Sequence, residues 1–239
     1  MNDVIAMIPA RIGSQRLKMK NLALIDGKPM IHYAIDAAKK SKVFSSIVVN
    51  SDHEVFGEIA SKEEVDFYFR PQDIGSSFAT ADEVVFDFIE KFPDVENVAW
   101  INPTSPLQTG EEIKKITQYF FEKQLDSLIT VEEKNVHSRY KKNPINYDLD
   151  SGFAQTQSLT KIEVFAYSVM IWKTSTFKES FKKNGYAMFA GKFDVFPISK
   201  LSGLIVKNEE DLMICDLIMR GLNSGEKKYT LNYYNSSKL

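Results

Sequence analysis

Short apolar runs alternate along the chain with stretches whose apolar residues recur every three to four positions. The apolar runs are typical of buried parallel strands and cover residues 4–9, 46–50, 65–69, 98–101 and 127–131. Helical spacing follows Pro29, Thr80 and Thr109. Because strands and helices alternate, the pattern predicts an α/β fold with a mostly parallel, Rossmann-like sheet covered by helices on both faces.

The alternation stops at residues 132–160, which are polar and rich in turn residues. It resumes with strand-like runs at 164–172, 193–198 and 203–206, and with a last helix that begins after Asn208 and ends at Gly221. We therefore predict one domain, residues 1–222, with 132–160 as a small excursion at the edge of the sheet and 223–239 as a tail.

Three segments have the spacing of helix starts. Ser51-x-x-Glu54 and Thr80-x-x-Glu83 match the capping box, in which a hydroxyl and a carboxylate satisfy the first free amides of a helix. Thr109-Gly-Glu-Glu indicates a third cap. Within the first box, Asp52 is expected to favour the helix dipole.

Composition narrows the class of protein. The chain has 239 residues and a net charge of −2, which argues against a general binder of nucleic acid or of anionic membranes. The one cysteine, Cys215, forms no internal disulfide and fits a buried small hydrophobe. No run reaches the roughly 18 apolar residues of a membrane span, and no secretory signal pattern begins the chain, so we expect a cytoplasmic protein.

Residues 11–20, which we call the cationic loop, follow the first predicted strand. The loop carries Arg11, Arg16, Lys18 and Lys20, together with Gly13 and a hydroxyl, and it contains no acidic residue. Charge-assisted hydrogen bonds from these cations, and main-chain amides near a glycine, are suited to a polyphosphate. A solvated basic loop is the alternative explanation of the charge.

Unusual polar residues also follow the other predicted strands, at 50–52, from Arg70 onward and at 102–105. Ligands of parallel sheets bind beyond the carboxyl ends of the strands, and these segments would meet there. The sequence therefore predicts a single nucleotide site at that edge.

Three motifs identify a family. They are Ala10-Arg11-x-Gly13-Ser14-x-Arg16-x-x-x-Lys20-Asn21, the pair Phe69-Arg70-Pro71 and Ala79-Thr80-Ala81, and the run Asn102-Pro-Thr-Ser-Pro-Leu-Gln-Thr109. Together they resemble the CMP-sugar-acid synthetases, the acylneuraminate and Kdo cytidylyltransferases, over residues 5–217. The resemblance implies a nucleotidyltransferase sheet and a homodimer whose arm, with the acceptor pocket, is built by the excursion.

The resemblance also implies roles for individual residues. Residues that would grip the CTP phosphates and support catalysis are Arg11, Arg16 and Lys20. Residues that would bind the nucleotide are Arg11, Ser14, Lys20, Asn21, Arg70, Ala79, Ala81 and Asn102. Residues expected near the acceptor are Thr104, Ser105, His137 and Arg139. For Thr80 a plain helix cap is the favoured role, and His32 and His53 lack metal-ligand spacing.

The chain departs from the family pattern at several positions. Two aspartates that would hold Mg²⁺ align with Ile205 and Lys207, Gln108 replaces an arginine, and Ala166-Tyr167 replaces Asn-Gly. Mg²⁺ is the cofactor that the resemblance implies, but these two side chains cannot ligate it. Either metal binds only through CTP and water, with Lys207 supplying charge, or the chemistry has been lost or changed.

The resulting prediction is an enzyme that joins CMP from CTP to an acidic sugar, a nonulosonic acid of the sialic or legionaminic type, and releases pyrophosphate. Two alternatives stay open. One is a catalytically degraded nucleotide-binding paralogue. The other is a cytidylyltransferase for a different acceptor, such as Kdo or a phosphonate.

Overall fold

The computed structural model describes residues 3–14, 16–76 and 78–224. The elements up to the middle of the chain are β1 (Val4–Ala10), β2 (Leu24–Ile25), β3 (Lys28–Pro29), α1 (Met30–Ser41), β4 (Ser46–Ser51), α2 (Glu54–Lys62), β5 (Asp66–Phe69), α3 (Gln72–Gly75), α4 (Ala81–Lys91) and β6 (Asn97–Ile101). Those that follow are α5 (Gly110–Glu122), β7 (Ser127–Lys134), β8 (Arg139–Tyr140), β9 (Asn143–Pro144), β10 (Ile162–Lys173), α6 (Thr174–Asn184), β11 (Phe193–Pro197) and α7 (Glu209–Asn223). The predicted α/β alternation is confirmed.

The central sheet has the strand order β11-β7-β10-β6-β1-β4-β5. The pairs β1–β4, β1–β6, β4–β5 and β7–β11 are parallel, whereas β10 runs antiparallel to both of its neighbours. The prediction of a mostly parallel sheet is therefore confirmed. Because Val169 of β10 pairs with Ile101 at the end of β6, residues 162–168 extend beyond the carboxyl end of β6, where residues 162–165 pair with the end of β7.

Helices cover both faces of the sheet. Alternate residues of β1 point to opposite faces, so that Ala6 and Ile8 join a core with α1, α2 and α5, whereas Ile5 and Met7 join a core with α4 and α6. A third, smaller cluster joins α7 to residues near β2, with Ile25 and Cys215 fully buried in it. The helical spacing predicted after Pro29, Thr80 and Thr109 is confirmed, and α1, α4 and α5 each bury their apolar residues.

The helix caps are partly as expected. Thr80 and Glu83 form a complete capping box at α4, and the Thr109 hydroxyl accepts from the Glu112 amide at 3.2 Å. The box predicted at Ser51 and Glu54 is wrong, because α2 begins after His53, whose Nδ1 accepts from the Val55 amide at 3.2 Å. The proposed effect of Asp52 on the dipole of α2 stays a prediction.

The second half of the chain also corrects the prediction in two places. Residues 203–206 form no strand, although the Val206 amide donates to the Thr104 carbonyl at 2.8 Å. Helix α7 continues past Gly221 to Asn223, since glycine there keeps a helical backbone instead of ending the helix. The excursion contains the β8–β9 hairpin, and residues 225–239 of the predicted tail lie outside the described residues.

The composition-based expectations can be compared with the described part of the chain. Burial and the charge of Asp211 raise the pKa of the Cys215 thiol to about 11, as suits a cysteine that packs as a hydrophobe. Within residues 3–14, 16–76 and 78–224, no helix combines the length and the apolar character that crossing a bilayer requires.

Candidate functional site

Four loops meet at the carboxyl edge of the sheet and enclose a cleft of about 340 Å³. They follow β1, β5, α3 and β6, which match three of the four predicted polar segments, whereas residues 50–52 do not line the cleft. The residues that line the cleft are Pro9, Arg11, Ser14, Lys20, Asn21, Arg70, Ile74, Ser76, Ala79, Thr80, Ala81, Val84, Trp100, Asn102, Pro103 and Thr104. All eight residues assigned to nucleotide binding are among them.

Two hydrogen bonds hold the cationic loop in place. The Ile12 amide donates to Asp52 Oδ1 at 3.2 Å, and Asn21 Nδ2 donates to the Arg11 carbonyl at 3.3 Å. Met19 has a left-handed backbone (φ 49°) and precedes a short 3₁₀ helix, Lys20–Leu22. These contacts hold Arg11 and Lys20 facing the cleft, whereas Lys18 is exposed and does not line it.

Lys20 is the electrostatic centre of the loop. Burial, followed by the charges of Arg16 and Arg11, lowers the pKa of its ammonium; Lys207 lowers it further, and Asp211 opposes the shift. No ion pair among the described residues involves any of these four cations. Positive charge that is concentrated without a bound counter-charge favours an anionic ligand.

Arg70 is the deepest cation of the cleft, with only 3% of its surface exposed. Its amide continues the sheet by donating to the Ser51 carbonyl at 2.9 Å. Burial lowers the pKa of the guanidinium, and the nearby carboxylate of Asp52 opposes that shift. Arg70 Nε is buried and has no hydrogen-bond partner among the described residues, so a ligand oxygen could satisfy the guanidinium.

The start of α4 forms a wall with small side chains. Ala79 donates its amide to Ser76 Oγ at 3.2 Å, and Thr80 caps the helix while also lining the cleft. Asp82 Oδ1 accepts from the Met188 amide at 3.1 Å, which anchors this turn to the loop before β11. Ala79 and Ala81 both line the cleft, so this wall projects little side-chain bulk into it.

Asn102 organises the wall that follows β6. Its Oδ1 accepts from the amide of Thr104 at 3.0 Å and from the Thr104 hydroxyl at 2.9 Å, while Nδ2 donates to the Tyr167 carbonyl at 3.1 Å. Tyr167 has φ 55°, the left-handed conformation, at a position where the resembled family has glycine. The tyrosine ring stacks on Phe165 with centroids 5.6 Å apart.

Four of the predicted site residues do not line the cleft. Arg16 is exposed and acts on Lys20 only through its charge, and Ser105 is buried behind the wall. In the excursion, His137 stacks on Phe153 at 4.1 Å and Arg139 donates to the Lys142 carbonyl at 2.7 Å. Their acceptor roles stay predictions.

Trp100 and Ile74 line the cleft, although sequence reasoning did not select them. Trp100 Nε1 is buried and has no hydrogen-bond partner among the described residues. A period of two along β6 puts Trp100 on the same face as Asn102, and that spacing is the signal that could have identified it. No comparable signal marks Ile74, because α3 is a single short turn after Pro71.

The side chains around the cleft do not fit a protein-held metal ion. None of the described lining residues carries a carboxylate, and no group of three or more His, Cys, Asp or Glu in the described chain could hold a metal. The nearest acid on α7, Asp211, accepts from the amides of Lys207 and Asn208 at 2.8 and 3.2 Å. Mg²⁺ is usually held through one or two carboxylates, and the described lining residues supply none.

The sequence is similar to a protein family and to several known proteins. A family model described as cytidylyltransferase matches residues 5–192. N-acylneuraminate cytidylyltransferase of Escherichia coli is 36% identical over 110 residues, covering 46% of this chain and 26% of that protein. CMP-N,N'-diacetyllegionaminic acid synthase of Legionella pneumophila is 33% identical over 116 residues, covering 46% and 50%. The chain thus spans a quarter to a half of these relatives.

A third relative extends over the full length. Post-translational flagellin modification protein B of Campylobacter coli is 25% identical over 240 residues, covering 96% of this chain and 100% of that protein. Among solved structures, CMP:2-keto-3-deoxy-manno-octonic acid synthetase complexed with CTP covers 92% of this chain and 99% of its own, with a TM-score of 0.69 at 13% identity. The 4-diphosphocytidyl-2C-methyl-D-erythritol synthase of Anaerococcus prevotii gives a TM-score of 0.63 at 13% identity, covering 91% and 98%. These structures share the fold.

Proposed function

Because the chain belongs to the cytidylyltransferase family, we propose that it transfers CMP from CTP to a hydroxyl of an acidic sugar and releases pyrophosphate. The proposal rests on one observation, the convergence of Arg11, Lys20 and Arg70 with Asn102 on a single cleft. The three cations suit the phosphates of a nucleotide. The small side chains of Ala79 and Ala81 suit the edge of a base.

The chemistry is a displacement at phosphorus. The sugar hydroxyl oxygen forms a bond to the α-phosphorus of CTP as the bond to the α–β bridging oxygen breaks. The bonding electrons leave on pyrophosphate, and the hydroxyl proton is released. Arg11 and Lys20, with Arg16 adding charge from outside the cleft, stabilise the negative charge that grows on the leaving group. Since these groups are held before CTP arrives, little reorganisation accompanies the reaction.

The acceptor is proposed to be a nonulosonic acid of the sialic or legionaminic type. The names of the relatives from Escherichia coli and Legionella pneumophila support this class. Thr104 lines the cleft next to Asn102, and we assign it to the acceptor side, with His137 and Arg139 approaching from the excursion. A cytidylyltransferase with Kdo or a phosphonate as acceptor would use the same nucleotide cleft.

We also infer a homodimer and a cytoplasmic location. The excursion exposes large apolar side chains, among them Phe153 at 90%, Leu149 at 68% and Tyr140 at 64% exposure. Apolar surface on a projecting arm fits contact with a second copy. CTP is an intracellular substrate, which supports the location. Mg²⁺ is expected to accompany CTP, although the described residues around the cleft include no carboxylate to hold it.

A pyrophosphate-release assay tests the proposal. Purified protein is incubated with CTP, Mg²⁺ and a panel of sialic, legionaminic and Kdo-type acids, with ATP, GTP and UTP as nucleotide controls. We expect release with CTP and one acid class only. Lys20→Ala should lower turnover by about 10²- to 10³-fold, as expected for loss of one preorganised charge, whereas Lys18→Ala, on the exposed side of the same loop, should retain activity.

A second candidate function is CTP binding without catalysis, which the missing carboxylates favour. It would be supported by calorimetric binding of CTP together with no pyrophosphate release for any acid in the panel. Absence of CTP binding by the folded protein would refute both functions.

A further inference from the structure

The segment that joins β11 to α7 runs along the rim of the cleft. Its Val206 amide donates to the carbonyl of Thr104, a lining residue, at 2.8 Å. The Val206 side chain is fully buried in a cluster that also contains Leu17 of the cationic loop and Leu204. Lys207, the next residue, is therefore held beside both the loop after β6 and the cationic loop.

The ammonium of Lys207 is free to meet a ligand. Asp211 accepts from the backbone amides of Lys207 and Asn208 and completes the capping box of α7, whose N-cap is Asn208. Lys207 is exposed, and none of the ion pairs found among the described residues includes it. Its charge reaches Lys20 strongly enough to contribute to the lowered pKa of that side chain, which agrees with the geometry.

The two positions at which the resembled family carries aspartates hold Ile205 and Lys207. An alkyl group offers no lone pair to a metal, and an ammonium repels one. Negative charge on pyrophosphate can be neutralised by ammonium and guanidinium groups as well as by a metal ion. Lys207 thus places a positive charge of the protein itself where an aspartate of the resembled family would hold a metal ion.

We propose that Lys207, together with Lys20 and Arg11, binds the pyrophosphate portion of CTP directly, so that the protein needs no carboxylate-held metal to grip it. The proposal rests on the function proposed above, because it concerns the same cleft. It assigns Lys207 a binding role that a merely solvated surface lysine would not have.

Isothermal titration calorimetry with inorganic pyrophosphate in the presence of EDTA tests the assignment. We expect the wild-type protein to bind, Lys207→Ala to bind at least tenfold more weakly, and Lys200→Ala, an exposed lysine seven residues earlier, to bind as wild type. Lys207 is exposed, so the variant should fold, and equal thermal melting of the three proteins checks this. Binding by Lys207→Ala that equals wild type, or wild-type binding only when Mg²⁺ is added, would overturn the proposal.

The double variant Ile205→Asp/Lys207→Asp provides an independent test. It restores both carboxylates, so its affinity for pyrophosphate should fall in EDTA and rise at least tenfold when Mg²⁺ is added. If Mg²⁺ does not change the pyrophosphate affinity of this variant, the inference is contradicted. Failure of the inference can be told apart from failure of the proposed function. If Lys207→Ala binds pyrophosphate and turns over CTP as the wild type does, only the role of Lys207 is refuted. If the wild type does not bind CTP, the proposed function itself is refuted.

Discussion

Asp52 Oδ1 accepts a hydrogen bond from the backbone amide of Ile12 at 3.2 Å, and this bond ties the cationic loop to the end of β4. The same carboxylate packs against Gly75, where an added Cβ would approach the Asp52 Cβ to 2.4 Å. One side chain thus fixes the loop after β1 and the turn after β5. Its position makes Asp52 a residue that organises the cleft without lining it.

Replacing Asp52 by alanine should loosen the cationic loop. The lost hydrogen bond is worth about 1 kcal/mol, enough to increase local opening several-fold. Limited trypsin digestion at Arg11, Arg16, Lys18 and Lys20 measures this opening, and we expect faster cleavage there in Asp52→Ala. Asp52→Asn keeps the acceptor oxygen and should be cleaved as slowly as wild type. Equal cleavage of all three proteins would show that the bond does not hold the loop.

In the protein without bound ligand, the charged side chain of Lys20 should lower the free energy of unfolding. Its pKa is lowered from 10.5 by burial, Arg16 and Arg11, so folding is opposed while the ammonium is charged. The penalty begins to shrink as pH rises through the folded pKa and is gone above the ordinary pKa of 10.5. Lys20→Met should therefore melt higher than wild type at neutral pH, by about 2 °C, with a difference that narrows toward pH 10.5. Calorimetric melting across pH measures it, and a lower melting temperature for the variant would contradict it.

Trp100 should report on nucleotide binding. It lines the cleft, whereas the only other tryptophan, Trp172, is buried in the core and donates its Nε1 hydrogen to the Met188 carbonyl at 3.0 Å. We expect CTP to change the intrinsic fluorescence of the wild type and Trp100→Phe to lose most of that change. Titration with CTP at fixed excitation measures it. A full response from the variant would place the nucleotide elsewhere.

A buried polar network beneath the cleft should contribute to stability. Ser168 Oγ donates to Gln108 Oε1 at 2.7 Å and lies 3.2 Å from Thr130 Oγ1. Ser168→Ala leaves the buried acceptor of Gln108 unsatisfied, and we expect a loss of about 1–3 kcal/mol in the free energy of unfolding. Urea titration measures the loss. Ser61→Ala, on the exposed face of α2, is the control and should change it by less than about 0.5 kcal/mol.

Local rules predicted the parts of the fold that depend on neighbouring residues. The apolar runs gave the strands of the sheet, and the Thr80 box formed because its two partners lie three residues apart on one turn. At Ser51 the same reasoning failed, because α2 begins after His53. The neighbouring Asp52 carboxylate is bound by the backbone amide of Ile12, forty positions away. Spacing along the chain contains no information about such a partner.

The sequence could predict which residues meet at the cleft, but it could not predict where the excursion lies. Parallel strands bring their carboxyl ends together, so residues such as Arg11, Arg70 and Asn102 could be grouped from the strand pattern alone. The placement of the excursion depends on how β7 and β10 extend beyond the sheet, and no short-range pattern reports that extension. For this reason His137 and Arg139 could be assigned only through the family resemblance.

The insertion of β10 between β6 and β7 has a consequence for biosynthesis. When β7 leaves the ribosome, neither of its hydrogen-bonding neighbours has been made, since both β10 and β11 come later in the chain. Strand β7 therefore stays unpaired while the ribosome adds roughly thirty further residues, at about 5–20 residues per second, before β10 begins. During those seconds the nascent chain exposes an edge to which chaperones, or other nascent chains, can attach.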